Sequence, residues 1–139
     1  MRPYTHKVLY YETDQMSIAH HSNYIRWMEE AKMDFLDQIG FNYAVLEKKG
    51  VISPVVSVEC HYILSTFFDE TVTILVTMRE YKGVRLKLHY EMLHPDGRVA
   101  AVADSENCFT DRQGKPLAIK RIDPAFHEKL CELAAATED

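Results

Sequence analysis

Apolar and polar residues alternate along Thr71 to Glu80, where Val72, Ile74, Val76 and Met78 interleave with Thr71, Thr73, Leu75 and Thr77. Period two predicts a strand with one packed face. The run from Val84 to Leu93 sets Val84, Leu86, Leu88, Tyr90 and Met92 against Arg85, Lys87, His89 and Glu91. With a turn at Tyr81-Lys82-Gly83 between them, the two runs are expected to form a hairpin. A turn at Pro95-Asp96-Gly97 leads into a further strand, Val99 to Thr110, which Gln113-Gly114-Lys115-Pro116 closes. Upstream, Val8 to Glu12 and Val55 to Ile63 also read as strands.

Between them the period changes. From Ser22 to Ile39, Tyr24, Trp27, Met28, Ala31, Phe35 and Ile39 recur at helical spacing, and Ile25, Met33 and Leu36 widen the apolar surface. The pattern predicts a long helix buried on more than one side, with Arg26, Glu29, Lys32 and Asp37 on its remaining face and Gly40 as its stop. Near the end, Asp123 as N-cap and Pro124 at the first helical position begin a short helix carrying Phe126, Leu130 and Leu133. Strand, long helix, then successive strands define an α+β chain with a largely antiparallel sheet. A helix this apolar suits a curved sheet wrapped around it, and open sheet edges favour pairing with a second copy.

Composition narrows the class. The chain has 139 residues and 47% apolar content, the scale of one ordinary domain with a real core. No stretch approaches the roughly 20 apolar residues of a membrane span and the start lacks a signal-peptide core, so a cytoplasmic protein is expected. A formal charge of −5 argues against non-specific nucleic-acid binding. Local basic clusters exist in Arg79 to Lys87 and among Arg112, Lys115, Lys120 and Arg121. Cys60, Cys108 and Cys131 are odd in number and widely spaced, which points to buried free thiols rather than disulfides or a zinc site.

The candidate chemistry lies just before the long helix, where Asp14 stands seven residues ahead of His21. A helix start has unpaired N–H groups and about half a positive charge, which polarises a carbonyl while a nearby carboxylate attacks it or activates water. A turn-forming or helix-capping aspartate is the structural alternative. Asn23 either braces the loop around Asp14 or serves the helix start, and Tyr24 and Trp27 either line a pocket or belong to the core. Glu30 either approaches the pocket or pairs with a basic residue, and His20 is expected to face away as a structural histidine. The two histidines lack the spacing of a metal pair, and no Gly-x-Ser-x-Gly elbow occurs.

Tyr11-Glu12-Thr13-Asp14, His21, Asn23-Tyr24 and Glu29-Glu30-Ala31-Lys32 together resemble the hotdog-fold acyl-CoA thioesterases, in the branch similar to 4-hydroxybenzoyl-CoA thioesterase. The resemblance implies a single hotdog domain over residues 1–139, with a curved five-stranded sheet around the long helix and a short C-terminal helix. It implies Asp14 as the catalytic carboxylate and the His21 backbone N–H as the contact to the thioester oxygen, the His21 ring having a less defined role. A homodimer or homotetramer is implied as well, with coenzyme A entering only as part of the substrate and no separate cofactor or metal. Lys82 and Arg85 are the candidates for holding its phosphates, and Asn23, Tyr24 and Glu30 for the remaining substrate contacts. Two positions depart from the pattern: Ser17, where relatives usually carry glycine, and Lys32, where arginine is common. Serine at a position needing positive φ costs about 1 kcal/mol, and lysine loses bidentate pairing. Hydrolysis of an acyl- or aroyl-CoA is the leading reading. A non-catalytic acyl-thioester or protein-binding module is the alternative, and enoyl-thioester hydration is another reaction the same fold can host.

Overall fold

The alternating runs pair as their period requires. In the computed structural model, which describes residues 1–138, β3 (Thr71–Tyr81) and β4 (Arg85–Leu93) form the expected hairpin, and β5 (Val99–Cys108) pairs antiparallel with β4. Two further strands, β1 (Tyr4–Lys7) and β2 (Val55–Tyr62), complete an antiparallel five-stranded sheet in the order β1-β3-β4-β5-β2. The inward positions of β3 and β4, among them Val72, Ile74, Leu86, Leu88, Tyr90 and Met92, are buried. β2 takes one edge, where Val55, Val56 and Val58 remain exposed.

Helix α1 (Ser22–Gln38) buries Tyr24, Trp27, Met28, Ala31, Phe35 and Leu36 in this core. It ends where Gly40 adopts φ +91°, a conformation glycine enters without Cβ strain. Trp27 is fully buried. Lys32 leaves the polar face assigned to it from the sequence: the residue is buried, and its amine reaches Glu29 Oε1 at 3.2 Å. Its four-carbon stem can cover apolar surface while the amine keeps a carboxylate partner.

Three expectations change. The strand expected over Val8 to Glu12 lies earlier, as β1, while Tyr10–Glu12 forms a 3₁₀ turn. Its cause is Glu12, which is buried and accepts the Leu9 N–H at 2.8 Å, leaving Tyr10 and Tyr11 exposed rather than packed on a strand face. A short helix, α2 (Tyr43–Lys48), was missing from the periodic pattern; Asn42 caps it by accepting the Ala44 N–H at 2.9 Å. The cysteines are free, but Cys131 is exposed and Cys60 and Cys108 are only half-buried.

After β5 come a single helical turn, α3 (Ile119–Ile122), and α4 (Pro124–Glu138). Asp123 Oδ1 accepts the Phe126 N–H at 3.1 Å, so it caps α4, and Phe126 and Leu130 seal the core. Among the described residues no helix is long and apolar enough to cross a membrane.

Candidate active site

The loop before α1 is a tight hairpin built around Asp14. Thr13 pairs with Ala19, the Asp14 N–H donates to the Ile18 carbonyl at 2.9 Å, and the Ser17 N–H donates to the Asp14 carbonyl at 3.0 Å. Ser17 completes the turn at φ +64°, in the left-handed region. Ser17→Gly removes that strain, although glycine also loosens the unfolded chain. We expect a net stabilisation of about 0.5–1 kcal/mol from these opposing effects; thermal melting checks it, and a lower Tm would contradict it.

Asp14 is exposed, and its two carboxylate oxygens differ. Oδ1 accepts the backbone N–H groups of Met16 at 2.8 Å and Ile18 at 3.2 Å. Oδ2 has no hydrogen-bond partner among the described residues. One oxygen of Asp14 therefore holds the turn, while the other has no partner among the described residues.

Three sets of contacts fix the loop. Ala19 N–H donates to the Thr66 carbonyl at 2.8 Å, and Phe68 N–H donates to the Ser17 carbonyl at 3.1 Å. The Glu12 carbonyl accepts the His20 N–H at 2.8 Å and the Asn23 amide at 2.9 Å. Asn23 is buried, and its amide also reaches the His20 carbonyl at 3.3 Å, so it braces the loop against the helix start. The third set centres on the Glu12 carboxylate, with His6 Nε2, the Leu9 N–H and Trp27 Nε1 each at 2.8 Å. Burial opposes ionisation of Glu12, yet the bonds from His6, Leu9 and Trp27 outweigh it and hold the carboxyl below the usual range.

Asp14, His20, His21, Tyr24, Tyr62 and Leu64 share a depression of about 290 Å³. His21 lies at the start of α1 with φ −56° and ψ −29°, and its backbone N–H has no acceptor among the described residues. Tyr24 is buried, with its hydroxyl 2.8 Å from Thr66 Oγ1, and its ring meets Tyr62 edge-on at 5.0 Å. The Tyr62 hydroxyl donates to the His21 carbonyl at 3.1 Å. Burial, then the neighbouring Cys60, pushes the Tyr62 hydroxyl up to about 12, so it stays protonated as a donor.

Tyr62 is a site residue that hydrophobic periodicity did not single out. Only the strand register, which pairs Tyr62 with the buried Ala101, brings this exposed side chain to the helix start. His20 also differs from expectation: its ring lies 4.2 Å from that of His21 and borders the same depression.

The other sequence candidates lie elsewhere. Glu30 Oε2 faces His6 Nδ1 at 3.1 Å and accepts the Tyr4 hydroxyl at 3.3 Å, away from the depression. Trp27 belongs to the core. Lys82 and Arg85 border a larger depression of about 530 Å³ with Val84 and Cys108. Because β3 runs from Thr71, just after the Phe67 that pairs with Ile18, to Tyr81, these two residues stand roughly 30 Å along the sheet from the Asp14 loop. The chain does not bring them together with Asp14, and both are ion-paired, Lys82 with Glu80 at 2.8 Å and Arg85 with Glu106 at 3.0 Å. Among the described residues no three His, Cys, Asp or Glu side chains converge as metal ligands would.

A curved antiparallel sheet against one long helix defines a hotdog-fold α+β protein. The chain belongs to the thioesterase-like superfamily, whose family model matches residues 8–130. It is 34% identical over 122 residues to YneP of Bacillus subtilis, named as a proposed acyl-CoA thioesterase, covering 87% of this chain and 88% of that one. The crystal structure of a DHNA-CoA thioesterase from Staphylococcus aureus superposes with a TM-score of 0.95 at 30% identity, covering 99% of this chain and 93% of that one. A gentisyl-coenzyme A thioesterase superposes with a TM-score of 0.80 at 25% identity, covering 92% and 98% respectively.

Proposed function

We propose that the protein is an acyl-CoA thioesterase that releases coenzyme A and a free acid, with aroyl thioesters favoured. One observation carries the reading: among the described residues Asp14 Oδ2 and the His21 N–H are both unpartnered on the same depression, while Asp14 Oδ1 is fixed by two amides. The thioester oxygen accepts the His21 N–H, whose donation strengthens as negative charge develops, and the α1 dipole adds to it. Asp14 Oδ2 either adds to the carbonyl carbon or takes a proton from the water that adds. If Asp14 adds, the C–S bond breaks to leave an acyl–Asp14 anhydride that water then hydrolyses to the free acid. If water adds, C–S cleavage gives the acid directly. In both routes a proton from water or solvent passes to the sulfur of coenzyme A.

Tyr24, Tyr62 and Leu64 supply an aromatic and apolar wall suited to an aryl acid. The substrates for which the two structural neighbours are named, DHNA-CoA and gentisyl-CoA, support the same preference. The active species is a homodimer joined through the β2 edge, whose exposed Val55, Val56 and Val58 and unpaired backbone invite a second copy.

A panel of aliphatic and aroyl-CoA esters, read by a thiol-detecting dye on a sample sized by sedimentation, tests the reading. Thiol release by a sedimenting dimer, fastest with an aroyl ester, is expected. A flat panel with tight coenzyme A binding would instead favour a non-catalytic binding module, and a monomer would remove the β2 pairing.

A further inference from the structure

The site holds a second group whose state is set by geometry. The Ser22 N–H, the first of α1, donates to His20 Nδ1 at 3.2 Å, and Ser22 Oγ lies 2.9 Å from the same nitrogen. A backbone N–H can only donate, so Nδ1 is an acceptor and the neutral ring carries its proton on Nε2. The Nε2 edge has no partner among the described residues, and the ring borders the depression shared by Asp14 and His21. Its backbone is fixed on both sides, by the bond to the Glu12 carbonyl at 2.8 Å and by the Asn23 N–H donating to the His20 carbonyl at 3.0 Å. The ring also lies against that of His21, with centroids 4.2 Å apart and planes tilted by 31°.

We infer that His20 is a catalytic residue: its Nε2–H is a second hydrogen-bond donor, beside the His21 N–H, to the oxygen that becomes negative during thioester cleavage. A neutral imidazole is the right species for this task. Held at a helix N-terminus it acts as an electrophile, polarising a carbonyl by donation without giving up its proton. Losing that proton would leave an imidazolate, so the proton that reaches the coenzyme A sulfur comes from the attacking water or from solvent, not from His20. The inference rests on the thioesterase reading and adds a donor to it.

Two substitutions separate donation from support of the fold. In His20→Asn the amide oxygen lies near the Nδ1 position and keeps an acceptor for Ser22, but no donor reaches where Nε2 stood. His20→Gln places an amide N–H near the Nε2 position. On the best acyl-CoA of the panel, His20→Asn is expected to lower kcat about 10²-fold, the effect of one oxyanion donor, with Tm and KM little changed. His20→Gln is expected to recover about tenfold of that loss, as a neutral donor in nearly the right place.

Wild-type kcat in His20→Asn, on an ester that Asp14→Asn fails to cleave, would overturn the inference and leave the thioesterase reading standing. Nitrogen-15 histidine NMR of the free wild-type protein reads the ring without turnover. An Nε2–H tautomer at His20 is expected, and an Nδ1–H tautomer would overturn the inference whatever the kinetics, including if His20→Asn fails to fold.

Discussion

Asp14→Asn is expected to lower kcat by about 10²–10⁴-fold, the range supplied by a positioned general base, while Tm stays at the wild-type value. The asymmetry of the carboxylate gives the variant its meaning. Asparagine retains an oxygen able to accept the Met16 and Ile18 N–H groups that Asp14 Oδ1 accepts now, so the Thr13 to Ala19 hairpin keeps its turn. What it loses is the free Oδ2, replaced by an amide nitrogen that neither attacks a carbonyl nor takes a proton from water. A fall in kcat with an unchanged melting curve separates chemistry from folding. A fall in Tm with the surviving folded fraction fully active would assign Asp14 to the turn alone.

The largest stability effect is expected at Glu12. Its carboxylate collects donors from His6 on β1, the Leu9 backbone and Trp27 on α1, while its carbonyl holds His20 and Asn23. Glu12→Gln keeps the size but offers one acceptor oxygen and turns an NH₂ group toward a donor. With buried, charge-assisted bonds at stake, the loss should be about 2–3 kcal/mol. Because the same residue anchors the start of the Asp14 loop, turnover should fall with stability.

The pH dependence follows from the lowered Glu12 value. A carboxyl held below its usual range of about 4.3 contributes stability above that pH and loses it as pH falls through the lowered folded value. The gap between wild type and Glu12→Gln should therefore be widest near neutrality and narrow below about pH 4. Urea unfolding across that range checks it; a gap independent of pH would show that the charge is not what stabilises.

How much of this could be read in the sequence depended on how local the cause was. The β3-β4 hairpin and α1 were legible because their apolar periods run for several turns or pleats. β1 was misplaced because Leu9, Tyr10 and Tyr11 look like a strand until the burial of Glu12 is known, and that burial depends on His6 and Trp27 from other elements. α2 is too short for periodicity to reveal, although Asn42 was a usable cap signal. Ser17 adopts the positive φ implied by the glycine usual at its place in the family pattern.

At the site, Asp14, His21, Asn23 and Tyr24 are neighbours in sequence and fall together for that reason. Tyr62 enters through strand register, and His20 through a ring rotation set by Ser22, neither of which side-chain type reveals. Charge in the sequence points to Lys82 and Arg85. Placed in three dimensions, their charges are already met by Glu80 and Glu106.

The central claim is that a thioester carbonyl is held between Asp14 and the start of α1. A structure of the protein with an acyl-CoA analogue whose thioester sulfur is replaced by methylene tests it most directly. The account predicts the carbonyl oxygen at about 2.7–3.1 Å from the His21 nitrogen, with the carbonyl carbon facing Asp14 Oδ2. An analogue seated with its carbonyl elsewhere, such as beside Lys82 and Arg85, would contradict it.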